Sequence, residues 1–386
     1  MSIIVGQAVR NSDFWDRKDE LEDIWDAIES GSHILISAPR RVGKTSIMYK
    51  LLDEPKANYI PVYINTESAD SQNEFWHKLF HALIEEDFVS GLKNSTKTFW
   101  SKLATIKITK ISATGVEFGD GELLDYKTAF KRLIKDLDND KKLIIMIDEF
   151  AQTIENIIQY EETKSSVSLL KAHRELRQDI NFSQKVTFIY AGSIGLESVV
   201  AKIGATKHIN DLNSIKISPL SPPEALAFTQ QLFTNNNVDI PDKEVIYLLD
   251  KIEWLIPFYI QLIAQEIKRL HRKSPTVTSQ MIDQAIENSL QHKQYFETWL
   301  SKIKTAFNKT DYLFAKEVLN IISDNTTMES LEIANIATKH ALNDDDAKEI
   351  MHSLIYDGYI NHNDNPKQYR FNSAILRMWW NKNVAN

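Results

Sequence analysis

The sequence predicts an α/β fold built on a parallel sheet, and three stretches carry that prediction. The apolar run His33-Ile-Leu-Ile-Ser37 reads as a short buried strand. It is followed by a tight basic loop and then by Ile47, Leu51 and Leu52 at helical spacing. Leu143-Ile-Ile-Met-Ile147 is an unbroken apolar run, as expected of a strand covered on both faces, and it terminates in Asp148 and Glu149. A third run, Gln184 to Ser193 (QKVTFIYAGS), is a strand that ends on small and polar residues. Polar groups gathered where strands end mark the carboxyl edge of a sheet, where α/β folds place their sites.

With 386 residues the chain has room for two or three domains. Its 25% charged and 43% hydrophobic residues are ordinary globular composition. Having no cysteine, it is excluded from disulfide frameworks and from Cys-based metal sites and nucleophiles, which fits a reducing compartment. The start, MSIIVGQAVRNSDF, lacks a basic segment leading into a signal-length apolar run, and no later stretch is apolar enough to span a membrane. A cytoplasmic location without membrane association is expected. The net charge of -8 gives no general attraction to nucleic acid, so binding there needs a local basic patch.

The loop Ala38-Pro-Arg-Arg-Val-Gly-Lys-Thr-Ser46 sits between strand and helix as a phosphate-cradling loop does. Ala38, Pro39, Arg40, Arg41, Val42, Gly43, Lys44, Thr45 and Ser46 are the expected nucleotide contacts, through backbone N–H groups of the loop and helix start reinforced by the helix dipole. Lys44 is expected to reach the β and γ phosphates, and the Thr45 hydroxyl to ligate Mg²⁺. Ala38 stands where the motif usually has its first glycine. Asp148 would hold Mg²⁺ through water, and Glu149 would polarise an attacking water, the positioning and electrostatics that phosphoryl transfer requires. A strand ending in Asp-Glu means little alone, because turns often begin this way. About a hundred residues beyond a Gly-Lys-Thr loop, it becomes a strong signal. Ser193 would lie beside these carboxylates, to sense the γ-phosphate or orient water.

Phe14 to Ser30 reads as a helix, with Leu21, Ile24, Trp25 and Ile28 on one face. Its Trp15-Asp16-Arg17 approach either lies beside a nucleotide base or simply opens a helix packed on the sheet. Tyr59 to Asn65 is a strand and Ser71 to Ile84 an amphipathic helix. Residues 88–122 are expected to be an insertion. Within it, 106–118 alternates like a hairpin, either protruding toward a partner or forming an edge ribbon with a packing role. Asp125 to Leu137 is a helix and Asp138 to Lys142 a turn. In the helix Ser165 to Gln178, Arg174 and Arg177 are each either an intermolecular arginine finger or part of a solvated face. Leu212 to Ile217 is a fifth strand.

Pro219, Pro222 and Pro223 mark a boundary. Helices over 224–233, 242–249, 257–270 and 278–290 then suggest a helical lid, with Trp254, Phe258 and Tyr259 as packing residues. Helices over 312–322, 330–339 and 345–357, followed by strands near 359–360 and 369–371, read as a winged-helix domain or a helical packing module. The third of these helices carries Asp344, Asp345, Asp346, Glu349 and Asp357 around a single Lys348. DNA is therefore a disfavoured partner for that helix. Ser373 to Trp380 closes the chain as a docking helix. The expected domains are 1–218, 219–305 and 306–386.

These motifs resemble the AAA+ superfamily of P-loop NTPases, and within it the archaeal-type ATPases, which are related to origin-recognition and STAND ATPases. Phe14-Trp-Asp-Arg17 stands in place of that family's Gly-Arg-Glu opening. Pro39 to Thr45 matches its phosphate loop, Ile147-Asp-Glu149 its Walker B end, and Ala191-Gly-Ser193 its sensor-1 region. Trp254 to Gln261 resembles its lid motif, and Leu354 to Ile360 with Tyr369 to Ser373 and Trp379 its winged-helix tail. The lid motif lacks a clear cation for the phosphate, Lys268 and Arg269 lying further along. The resemblance implies ATP and ADP as ligands with Mg²⁺, and slow, switch-like hydrolysis read by a protein partner or by self-association. It admits two alternatives: a DNA-binding ATPase of replication, transposition or defence acting through the winged helix, and a scaffold that binds nucleotide without hydrolysing it.

Overall fold

A computed structural model describes residues 1–85, 108–112, 115–118, 125–135, 141–193, 195–363 and 365–385. The chain divides into two compact units: Arg17–Ser37 with Ile47–Lys216, and Met1–Asp16 with Ala38–Ser46 and Ile217–Asn386. The segments expected to form the lid and the winged helix thus fall in the same unit, together with the phosphate loop.

The first unit is built on five parallel strands: β1 (Ile34–Ser37), β2 (Tyr59–Asn65), β5 (Lys142–Asp148), β6 (Val186–Tyr190) and β7 (Asn213–Lys216), in the order β2-β5-β6-β1-β7. Between β2 and β5 in the chain, β3 (Ile108–Ser112) pairs antiparallel with β4 (Gly115–Phe118). The remainder of the expected insertion and most of the expected turn at 138–142 lie outside the described residues. Strand β5 is buried from Leu143 to Asp148, as an uninterrupted apolar run demands of a central parallel strand. Helices α1 (Lys18–Glu29), α2 (Lys44–Asp53), α3 (Gln72–Glu85), α4 (Tyr126–Lys135), α5 (Phe150–Tyr160), α6 (Thr163–Gln178) and α7 (Leu196–Lys202) accompany the strands. The first begins four residues later than the sequence suggests, because Asp16 and Arg17 have φ of 47° and 66° and so cannot continue a right-handed helix.

The core of this unit is aromatic. The His173 ring is fully buried, stacked on Trp76 at 5.1 Å and 5.1 Å from Phe75, and its Nδ1 is 2.8 Å from the Tyr190 hydroxyl. Burial first, and then the Arg177 charge, push the His173 pKa well below the usual histidine range. The same two causes lower His33 to about 4, and its Nδ1 accepts a hydrogen bond from the Phe188 amide at 3.0 Å. Both rings are therefore neutral in the fold but free to protonate in the unfolded chain near pH 6.5. The unfolded state binds more protons below that pH, so stability is fully present above pH 6.5 and falls as pH drops toward 4. His33 alone is expected to cost about 2 kcal/mol at pH 5 relative to pH 7.5. Urea unfolding at the two pH values checks this, and equal midpoints would contradict it.

In the second unit, α8 (Pro222–Asn235) opens with a capping box, Ser221 and Glu224 each satisfying the other's backbone N–H. Helices α9 (Asp242–Ile252), α10 (Pro257–His271), α11 (Ser279–Ser289) and α12 (Lys293–Ala306) follow and form the helical lid. Next come α13 (Lys309–Asn325), β8 (Thr327–Glu329), α14 (Ser330–Lys339), α15 (Asp344–Tyr356), β9 (Ile360–Asn361), β10 (Gln368–Phe371) and α16 (Ala374–Trp380). Strands β8, β10 and β9 make a small antiparallel sheet in that order, an arrangement consistent with a winged-helix fold. Among the described residues, no helix is long and apolar enough to cross a membrane.

Candidate functional site

In the α/β unit, β5 and β6 are parallel neighbours, with Met146 opposite Ile189 and Ile147 opposite Tyr190. Asp148-Glu149 and Ala191-Gly-Ser193 therefore emerge at the same edge of the sheet. The Asp148 residue is 2% exposed. Its Oδ1 accepts from the Glu149 amide at 3.1 Å, and its Oδ2 accepts from the Tyr63 hydroxyl at 3.0 Å. Burial first, and then the Asp148 charge, raise the Tyr63 pKa, so the phenol stays protonated and donates. The Asp148 carbonyl accepts from the Thr66 amide at 3.1 Å and from its hydroxyl at 3.0 Å, while the Thr153 hydroxyl donates to the Thr66 carbonyl at 2.7 Å. Neutral donors thus fix the turn that ends β5.

Glu149 occupies the left-handed region at φ 58°, ψ 31°, an uncommon conformation for a residue with a side chain, and one that clusters at functional sites. That backbone aims its carboxylate at β6, where Oε2 accepts from the Ser193 amide at 2.8 Å and the Ser193 hydroxyl at 2.9 Å. Asp148, Glu149 and Ser193 are brought together, as the sequence predicts. Tyr63, Thr66 and Thr153 were not anticipated.

The phosphate loop follows β1, and α2 begins at Lys44. Arg41 at φ 65° and Gly43 at φ 111° give the loop its reversal, and the value at Gly43 is one that a side chain would strain. Lys44 is 7% exposed, and its Nζ donates to the carbonyls of Ala38 and Pro39, both at 2.8 Å. Ser46 Oγ accepts from the Val9 amide at 3.0 Å. The Arg41 guanidinium lies 4.0 Å from the Phe258 ring centroid, and burial pushes its pKa down to about 10. Arg40 sits 5.8 Å from the Trp299 ring and donates to the Thr298 carbonyl at 3.3 Å. At Gly358, with φ 84°, an added Cβ would come within 2.9 Å of Trp254 and 3.1 Å of Pro39. Phe258 and Trp254, expected as packing residues, are buried, and Phe258 packs against the loop's Arg41.

The arginine-finger expectation is corrected for Arg177. Its side chain is 2% exposed and donates to both Asp211 oxygens at 2.8 Å, to the His208 carbonyl at 2.6 Å and to the Tyr190 hydroxyl at 3.1 Å. A guanidinium held this way ties α6 to the segment before β7 and cannot extend toward another chain. Arg174 donates to the Lys207 carbonyl. In the lid, Lys268 donates to Asn236 Oδ1 at 2.8 Å and the Arg269 side chain is 73% exposed.

Each unit carries a hard oxygen donor of the kind Mg²⁺ takes, the Thr45 hydroxyl in one and the Asp148 carboxylate in the other. Mg²⁺ characteristically takes one or two protein oxygens and completes its shell with phosphate and water.

Residues 14–250 match the family described as an ATPase domain predominantly from Archaea. The chain belongs to this family. Among solved structures it is similar to the Walker-type ATPase PABY2304 of Pyrococcus abyssi, at 15% identity and TM-score 0.68, over 98% of this chain and 99% of that one. It is also similar to the ORC2 protein of Aeropyrum pernix, solved in ADPNP and ADP complexes, at 10% identity and TM-score 0.55, over 96% of each chain. No curated protein matches the sequence significantly. These likenesses establish the fold of this archaeal-type ATPase as a AAA+ core with a helical lid, and they extend through the small antiparallel sheet beyond it.

Proposed function

We propose that this archaeal-type ATPase binds ATP on the loop Ala38–Ser46 and hydrolyses it to ADP and phosphate, with Glu149 as general base. The observation carrying this reading is the Glu149 carboxylate, held by two Ser193 donors beside the buried Asp148. Lys44 would exchange its two loop carbonyls for phosphate oxygens. Thr45 and Asp148 would hold Mg²⁺, which when bound neutralises charge on the phosphates. Glu149 takes a proton from water as its oxygen attacks the γ-phosphorus, and the bond to the β-phosphate oxygen breaks with ADP as leaving group. Ser193 holds the base in place. A lid motif without a clear cation for the phosphate, Lys268 and Arg269 lying further along, suits slow turnover that changes the state of the protein.

Two readings remain for what that change acts on. A DNA-associated ATPase working through the winged-helix region is favoured by the sheet β8-β10-β9 that follows α13 and flanks α14 and α15, an arrangement consistent with a winged-helix fold. A switch read by a protein partner, or by a second copy, is favoured by α15, whose exposed Asp344, Asp345 and Asp346 would repel phosphates. Binding of the full chain to labelled duplex DNA, in ATP and in ADP and at increasing salt, separates them. Affinity that falls steeply with salt and differs between nucleotides supports the DNA reading. No binding at low salt supports the switch. Absence of any ATP binding would overturn both.

A further inference from the structure

The structure assigns Tyr63 as a positioning residue for Asp148: its hydroxyl fixes which way the carboxylate faces and so sets how strongly nucleotide binding depends on Mg²⁺. This rests on the proposed role of Asp148 and adds a residue to that site. In the pairing of β2 with β5, Tyr63 lies opposite Met146 and Asn65 opposite Asp148. Tyr63 and Asp148 are thus diagonal neighbours on adjacent strands, a separation that the length of a phenol bridges. The bond it makes is 3.0 Å long, to Oδ2, while Oδ1 is held by the Glu149 amide.

With Tyr63 on Oδ2 and the Glu149 amide on Oδ1, the plane of the carboxylate is fixed without any cation. The phenol is itself held in place. The Tyr49 ring, on the helix that opens with Lys44, lies 4.9 Å from the Tyr63 ring at an interplanar angle of 58°. A carboxylate that binds a cation through water needs its oxygens aimed rather than merely present. Hydrogen bonds from behind are the usual means of aiming metal ligands, and losing one typically weakens metal affinity by about 10–100-fold. A phenylalanine in this place would keep the ring packing against Tyr49 and lose the hydroxyl that aims the carboxylate.

The test is Tyr63→Phe, read by titrating a fluorescent ADP analogue with and without Mg²⁺. The expected result is an about tenfold higher Mg²⁺ concentration for half-maximal enhancement of binding, with affinity in EDTA unchanged within about twofold. A parallel Asp148→Asn, Tyr63→Phe double variant should show no Mg²⁺ dependence beyond that of Asp148→Asn, because the tyrosine acts through the carboxylate. An unchanged Mg²⁺ dependence in Tyr63→Phe overturns the inference. So does an equal loss of affinity in EDTA, which would mark a packing role. Wild-type protein whose nucleotide binding ignores Mg²⁺ would instead overturn the proposed function itself.

Discussion

Glu149→Gln is expected to lower ATP turnover by about 10²–10⁴-fold while leaving ATP affinity within about twofold. The amide is nearly isosteric, and its oxygen can still accept from the Ser193 amide and hydroxyl that now hold Glu149 Oε2. The left-handed backbone at residue 149 depends on the α5 start and the Asp148 turn, not on the carboxylate charge. What disappears is the basicity. Single-turnover hydrolysis alongside equilibrium nucleotide binding separates the two effects. Normal turnover would place the base elsewhere. Loss of both turnover and binding would mean that Glu149 shapes the site rather than serving it. Nucleotide binding by wild type with no turnover at all would favour a nucleotide-binding scaffold.

The parts of the fold legible in the sequence are those with a strong local signal. β5 is a continuous apolar run and is buried almost throughout; the phosphate loop has a glycine where φ is positive and a lysine at the start of a helix. Glu149 and Ser193 were predicted as neighbours because each ends a strand, and parallel strands present their ends at one edge. Other features have weak signals or none. Strand β8 has three residues, of which Met328 is buried, too few to show a period. Helix α12 was missed despite a signal: Phe296, Trp299 and Ile303 recur at helical spacing and are all buried. Arg177 also left a trace. It lies on the α6 stripe with Leu170 and His173, all buried, so its position already argued against a solvated face. Tyr63 carries no such trace. In YIPVYIN it is one more aromatic on an alternating strand, and only the diagonal register with Asp148 reveals its bond.

Lys44→Ala is expected to weaken ATP binding by about a hundredfold or more. Two charge-assisted bonds at about 1.5 kcal/mol each account for that factor. The lysine is already committed to one place before nucleotide arrives: its Nζ bridges the carbonyls of Ala38 and Pro39, both at 2.8 Å, and its side chain is 7% exposed. Little side-chain freedom remains to be lost when phosphate oxygens replace those carbonyls, and the affinity gained is the excess of bonds to charged phosphate over the two carbonyl bonds given up. The same geometry predicts a second, smaller effect. Removing the ammonium leaves two loop carbonyls without this donor, one of them on buried Ala38, and lowers stability by about 1–3 kcal/mol. Calorimetric ATP titration and thermal unfolding without nucleotide measure the two effects separately. Destabilisation with unchanged affinity would mean that Lys44 is a strut of the loop and that the phosphates are held by other groups. The expected result is the reverse in size, with affinity carrying the larger loss.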